Sequence, residues 1–132
     1  MMSSDAPPAW VRRLLWVDGL AGLTVGLVVL VLAVPLTDWY GLPHGVVVFI
    51  GTANVGYGGF STSLAASARR PMGLLKMLVA ANAAWCVVAI ALLSRFGADS
   101  TWLGRAHVAG EGLFVAGLAA LEWRWREALV RR

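Results

Sequence analysis

One residue constrains this chain more than any other: Glu111, within the apolar stretch HVAGEGLFVAGLAALEW that runs from His107 to Trp123. Three further apolar stretches precede it, and the chain is 59% hydrophobic and only 14% charged, with a mean hydropathy of +0.73. Soluble domains run at about 45–50% apolar and 25% charged. The expected class is therefore an all-α membrane protein. An ionisable group at mid-depth in a bilayer is costly unless it faces other helices or a wet cavity. The other helices are expected to wrap around the face that carries Glu111.

The apolar stretches cover residues 14–36, 44–66, 72–93 and 102–123. Each is long enough to cross a hydrocarbon core of about 30 Å. The connections TDWYGLPHG, ASARRPMG and RFGADST are short, which makes successive helices antiparallel neighbours. The expected fold is an antiparallel four-helix transmembrane bundle. Residues 1–10, polar and proline-containing, read as a disordered cytoplasmic segment, and 124–132 as a basic cytoplasmic tail. Arg12 and Arg13 precede an apolar run, as in a signal peptide, but the run is too long for one and no small-residue cleavage site follows. It reads as a retained span.

Lysine and arginine set the orientation. Nine of the eleven lie at the amino end, in the middle loop or in the tail, and only Arg95 and Arg105 lie on the opposite side. Positive residues stay cytoplasmic, so both termini are expected inside, in a bacterial inner membrane. Trp10, Trp16, Trp39, Trp102, Trp123 and Trp125 fall near the expected interfaces, as an aromatic belt does. The basic residues mark span ends rather than a clustered patch, which argues against a nucleic-acid partner. Membrane lipid is the expected partner, with a homo-oligomer or another membrane protein.

The polar positions inside the apolar stretches carry the functional expectations. Asp18, Gly22 and Gly26 recur every four residues with Gly19 alongside, a spacing that lets another helix approach closely. Asp18 is expected to pair with Arg12, Arg13 or Lys76. In the second stretch Asn54 and Tyr57 share a face, and Gly56, Gly58 and Gly59 are expected to serve close helix packing, with a kink at a binding site as the alternative. Asn82 in the third can hydrogen-bond to Asn54 or Glu111. In the fourth, His107 and Glu111 stand one turn apart, with Gly110 and Gly117 on a neighbouring small-residue stripe. Glu111 is expected either to bond Asn82 or Tyr57 structurally, or to couple protons or cations together with His107.

Other chemistry has less behind it. His44 and His107, at similar depth, could ligate a haem axially, but no cofactor is expected. His107 and Glu111 supply two metal ligands where a site needs three or more, so no metal site is assigned. No Ser-His-Asp, Cys-His or phosphate-loop arrangement occurs, and an enzyme is not expected. Cys86 is the single cysteine, which leaves no intramolecular disulfide to form.

With LLWVDGLAGLTVG opening the first stretch, ANAAW in the third and EGLFVAGLAALEW in the fourth, the chain resembles the uncharacterised four-span integral inner-membrane proteins of bacteria. It is also superficially similar to the DoxX-like proteins. The resemblance implies a four-span fold and an inner-membrane location, and it brings no established activity. Small multidrug transporters share the span count but hold their essential glutamate in the first span, where this chain has Asp18. The leading expectation is a non-enzymatic structural or accessory subunit that assembles through its glycine faces. The alternative is a small proton-coupled carrier or channel using Glu111, and a haem-binding redox subunit is the remote third.

Overall fold

The structure is a computed structural model and describes residues 6–131. The described residues form six α-helices and no strand. A 3-10 turn, Val11–Arg13, leads into α1 (Leu14–Val31); α2 (Ala33–Tyr40), α3 (His44–Ala66), α4 (Met72–Phe96), α5 (Trp102–Arg124) and α6 (Arg126–Val130) follow. Residues 1–5 of the segment expected to be disordered lie outside the described residues, as does Arg132; residues 6–10 are loop and turn.

The expected first span, 14–36, is broken. Leu32 leaves helical geometry at φ −97° and ψ 17°, and the chain re-enters a helix at Ala33. Pro35 explains the break: it has no N–H to give, and its ring crowds the carbonyl four residues back, at Val31, the last residue of α1. The expected turn TDWYGLPHG is correspondingly shorter. Thr37 to Tyr40 are helical, and only Gly41 to Pro43 connect α2 to α3. Gly41 closes α2 in the left-handed region, φ 63°, and an added Cβ would meet Asp99 O and Ser100 Cα at 3.1 and 3.2 Å. Gly41→Ala is therefore expected to cost about 1–2 kcal/mol, read as a lower denaturation midpoint in mild detergent; an unchanged midpoint would contradict the strained turn.

Two helix pairs dominate the packing, α1 with α3 and α4 with α5, while the successive helices α3 and α4 touch only lightly. The successive helices α3 and α4 meet chiefly through Trp85, which packs against Phe49 and Tyr57. The close approaches of the first pair run in opposite senses: Gly19 lies against Thr62, Gly22 against Gly58 and Gly26 against Val55. That register is antiparallel. The small-residue stripe of α1 is consumed here, inside the fold, and is not free to pair with a second copy. Gly110 and Gly117, expected in the same packing role, have nothing within 4 Å of the position that a methyl group would take. The three glycines of the second stretch do not break α3, which is continuous through Gly56, Gly58 and Gly59.

The tail is not a free basic arm. Leu129 of α6 and Val11 are both fully buried with Leu15, Leu75, Leu78 and Leu118. The Arg70 guanidinium fastens this end, donating to Leu64 O (3.1 Å) and Ala65 O (2.6 Å) at the end of α3 and to Leu129 O (3.1 Å) in α6. Carbonyls at a helix end have no intrahelical donor, and a cation there complements the helix dipole.

The core is apolar, yet polar side chains are buried within it and large apolar ones stand outside. Asp18, Asn54, Ser61, Asn82 and Glu122 are buried, whereas Val31, Val34, Val87, Ile90 and Leu113 are 65–81% exposed. Two helical segments, Val11–Val31 and Met72–Phe96, are long and apolar enough to cross a membrane, with mean hydropathies of 2.2 and 2.1. The helices α3 and α5, diluted by glycine and polar residues, fall outside that pair.

Candidate functional site

Between the two helix pairs lies a cavity of about 410 Å³ whose lining includes Asp18, Asn54, Tyr57, Asn82, His107 and Glu111. All of the polar positions singled out in the sequence therefore meet one space. They do not form one network, however. They form two, with the cavity between.

The first network joins α2, α5 and α3. Tyr40 Oη lies 2.9 Å from His107 Nδ1, His107 Nε2 lies 2.8 Å from Glu111 Oε2, and Asn54 Nδ2 donates to Glu111 Oε1 at 2.5 Å. Local structure sets this alignment. Thr101 caps α5, accepting from Gly104 N at 3.2 Å while donating to Trp39 O at 2.6 Å. Thr101 N also donates to Tyr40 O at 2.9 Å. Gly104 lies so close to the Tyr40 carbonyl that a Cβ would overlap it. The start of α5 is thus locked to the end of α2, which places His107, one turn further on, beside the Tyr40 ring. Asn54 is held by its second N–H, which donates to Ile50 O at 3.0 Å. Of the expected partners of Glu111, His107 is in place, while Asn82 and Tyr57 give way to Asn54. Tyr57 instead packs its ring edge-on against Trp85 at 5.9 Å.

The second network joins α1, α4 and α5. Asn82 Nδ2 donates to Asp18 Oδ2 at 3.1 Å and to Glu122 Oε2 at 3.2 Å. The pairing of Asp18 with Arg12, Arg13 or Lys76 does not occur: among the described residues the one ion pair is His107 with Glu111. Two carboxyl groups converge on one amide, deep in the fold and with no cation. Glu122 is fully buried, and its Oε1 has no donor. Two buried carboxylates without a cation repel each other, and protonating one of them removes that repulsion. Asn82 fails to reach Asn54 or Glu111 because both its hydrogens are spent on this acid pair.

Chemically, the first network has two self-consistent wirings. In one, Tyr40 O–H donates to Nδ1 and Nε2–H donates to an ionised Glu111. In the other, a protonated Glu111 donates to Nε2 and Nδ1–H donates to the Tyr40 oxygen. The second holds one proton more than the first: Nδ1 takes it from outside the network as the Tyr40 hydroxyl turns its own hydrogen away, and Nε2 hands its proton to Glu111. Both ring nitrogens of His107 are engaged in this, and His44 Nδ1 lies 3.1 Å from Thr37 Oγ1. Among the described residues, no three of His, Cys, Asp and Glu come together as a metal site.

Sequence reasoning missed Tyr40 and the pairing of Glu122 with Asp18. Tyr40 was hidden by the assumption that its segment is a turn; the proline four residues after Val31 was the signal that a second short helix follows. No family model, curated protein or solved structure matches this chain.

Proposed function

We propose that the chain is a small proton-coupled carrier or channel of the bacterial inner membrane, with α1 and α3 to α5 as four antiparallel spans and both termini cytoplasmic. The observation that carries this reading is the chain of Tyr40, His107, Glu111 and Asn54 opening onto a cavity that Asp18 and Asn82 also line, with the fully buried Glu122 bonded to Asn82. Glu111 and Glu122 lie on one helix, eleven residues and so about 16 Å apart. Two protonatable sites at different depths, with room for a solute between them, are what alternate loading and release require. Intramembrane acids and histidines of this kind mark proton relays. The cavity is also lined by the apolar side chains of Val25, Phe114 and Val115, which suit a solute with an apolar body.

The test is proton flux in vesicles. Full-length protein reconstituted with a pH-sensitive dye inside should dissipate an imposed pH gradient faster than empty vesicles. Glu111→Gln keeps a hydrogen-bonding side chain of the same shape and should abolish that flux, with helical content unchanged. Wild-type flux no greater than empty vesicles, or full flux in Glu111→Gln, would sink the proposal.

The accessory-subunit reading keeps one observation in its favour. Gly117 on α5 has open space before it, a position at which a partner helix could pack closely, whereas Gly110 lines the cavity. Its other basis, a free glycine stripe on the first helix, is gone because α3 occupies that stripe.

A further inference from the structure

At the opposite end from Tyr40, the amino-terminal turn and the tail enclose a second pocket of about 590 Å³, lined by Arg12, Arg124, Arg126, Arg131, Trp125 and Glu127 among others. Four guanidinium groups face one carboxylate there, and among the described residues none of the four is in an ion pair. Two of them are held in place by the fold. Arg126 stacks over the Trp123 ring at 4.3 Å and donates to Trp123 O at 2.7 Å, and Arg124 stacks over the Trp125 ring at 5.8 Å. Trp125 is itself set edge-on against Trp10 at 6.0 Å. Each guanidinium has five N–H donors in a planar fork, so these contacts leave most donors available. Guanidinium forks without an ion pair among the described residues match the oxygens of a phosphate group, which they bind bidentately.

We propose that this pocket binds the phosphate of an anionic phospholipid headgroup. The lipid source is favoured over free phosphate by position. The pocket lies at the end of α5, beside Trp10 and Trp123, each 47% exposed, and such rings sit at the headgroup level of a bilayer. Basic pockets at the cytoplasmic ends of spans are suited to acidic headgroups. The assignment rests on the membrane reading above but not on proton coupling, because none of its residues belongs to either carboxyl network.

The experiment is native mass spectrometry of the full chain in mild detergent, titrated with phosphatidylglycerol or with phosphatidylcholine. Phosphatidylglycerol is expected to remain bound at one molecule per chain where phosphatidylcholine is stripped. Arg124→Gln/Arg126→Gln removes two charges and should weaken phosphatidylglycerol binding about thirtyfold, at about 1 kcal/mol per charge. Arg12→Gln/Arg131→Gln changes two exposed side chains and should weaken it comparably, which guards against a folding artefact in the first variant. Equal retention of the two lipids, or undiminished phosphatidylglycerol binding in both variants, overturns the site. Displacement of the lipid by inorganic phosphate at equal concentration would make it a soluble-phosphate site and overturn the lipid assignment. Failure of the wild-type chain to incorporate into neutral phosphatidylcholine vesicles would overturn the membrane reading itself.

Discussion

Gly58→Leu should abolish the fold, at a cost of at least about 4 kcal/mol, while Gly56→Leu and Gly59→Leu leave it near wild type. The three glycines stand within four residues of one helix and look equivalent in the sequence. Their surroundings are not equivalent. A Cβ on Gly58 would lie 2.8 Å from Gly19 O and 2.8 Å from the Gly22 carbonyl carbon, and would overlap Leu23 N. All three are backbone atoms of α1, and they cannot rotate aside as the tip of a side chain can. A leucine there must push α1 off α3 along the most extensive contact in the molecule, and packing at this density does not absorb such a shift. Gly56 and Gly59 have nothing within 4 Å of that position, so a leucine at either projects into open space. Denaturation midpoints of the three variants in the same detergent decide the matter. Equal midpoints would show that α1 and α3 do not meet through Gly58.

The second large effect concerns the buried acid pair. Asn82→Leu is expected to destabilise the protein by about 3 kcal/mol, more than the loss of two ordinary membrane hydrogen bonds at about 0.6–2 kcal/mol each would suggest on its low side. The reason is what remains. Asp18 and Glu122 would face each other without the amide that bonds both of them at 3.1 and 3.2 Å, and a half-satisfied buried network is worse than an apolar one. It follows that the triple variant Asp18→Val/Asn82→Leu/Glu122→Met, which removes the network altogether, should recover most of that stability. It should also lose proton flux in vesicles. A triple variant as unstable as Asn82→Leu alone would show that the acids have a structural role and would weaken the carrier proposal.

Much of the helical layout was legible beforehand. α3 begins and ends where the second apolar stretch does, at 44 and 66, and α4 and α5 exceed their expected ends by only a few residues. Those limits are local: Pro43 and Pro71 stand immediately before α3 and α4, and Thr101 caps α5 with its side chain. Proline cannot continue a preceding helix, and a hydroxyl at the cap accepts a free backbone N–H. The break at Leu32 was equally local, since Pro35 dictates it, but the apolar run of Leu27 to Leu36 masked it. Hydropathy averages over a proline; backbone geometry does not.

The candidate site divides along a different line. That Asp18, Asn54, Tyr57, Asn82, His107 and Glu111 lie within apolar helices follows from the sequence by itself, as does the contact of His107 with Glu111, because residues four apart on a helix share a face. Which other residues they bond was decided only by tertiary structure. Depth along a helix can be counted from the sequence, but the neighbour across the gap depends on how each helix is rotated and which helices pair. Here α1 pairs with α3 through its glycines, and α4 with α5. That arrangement gives Asn82 to Asp18 and Glu122, leaves Asn54 for Glu111, and brings Tyr40 onto His107 through the locked junction of α2 with α5.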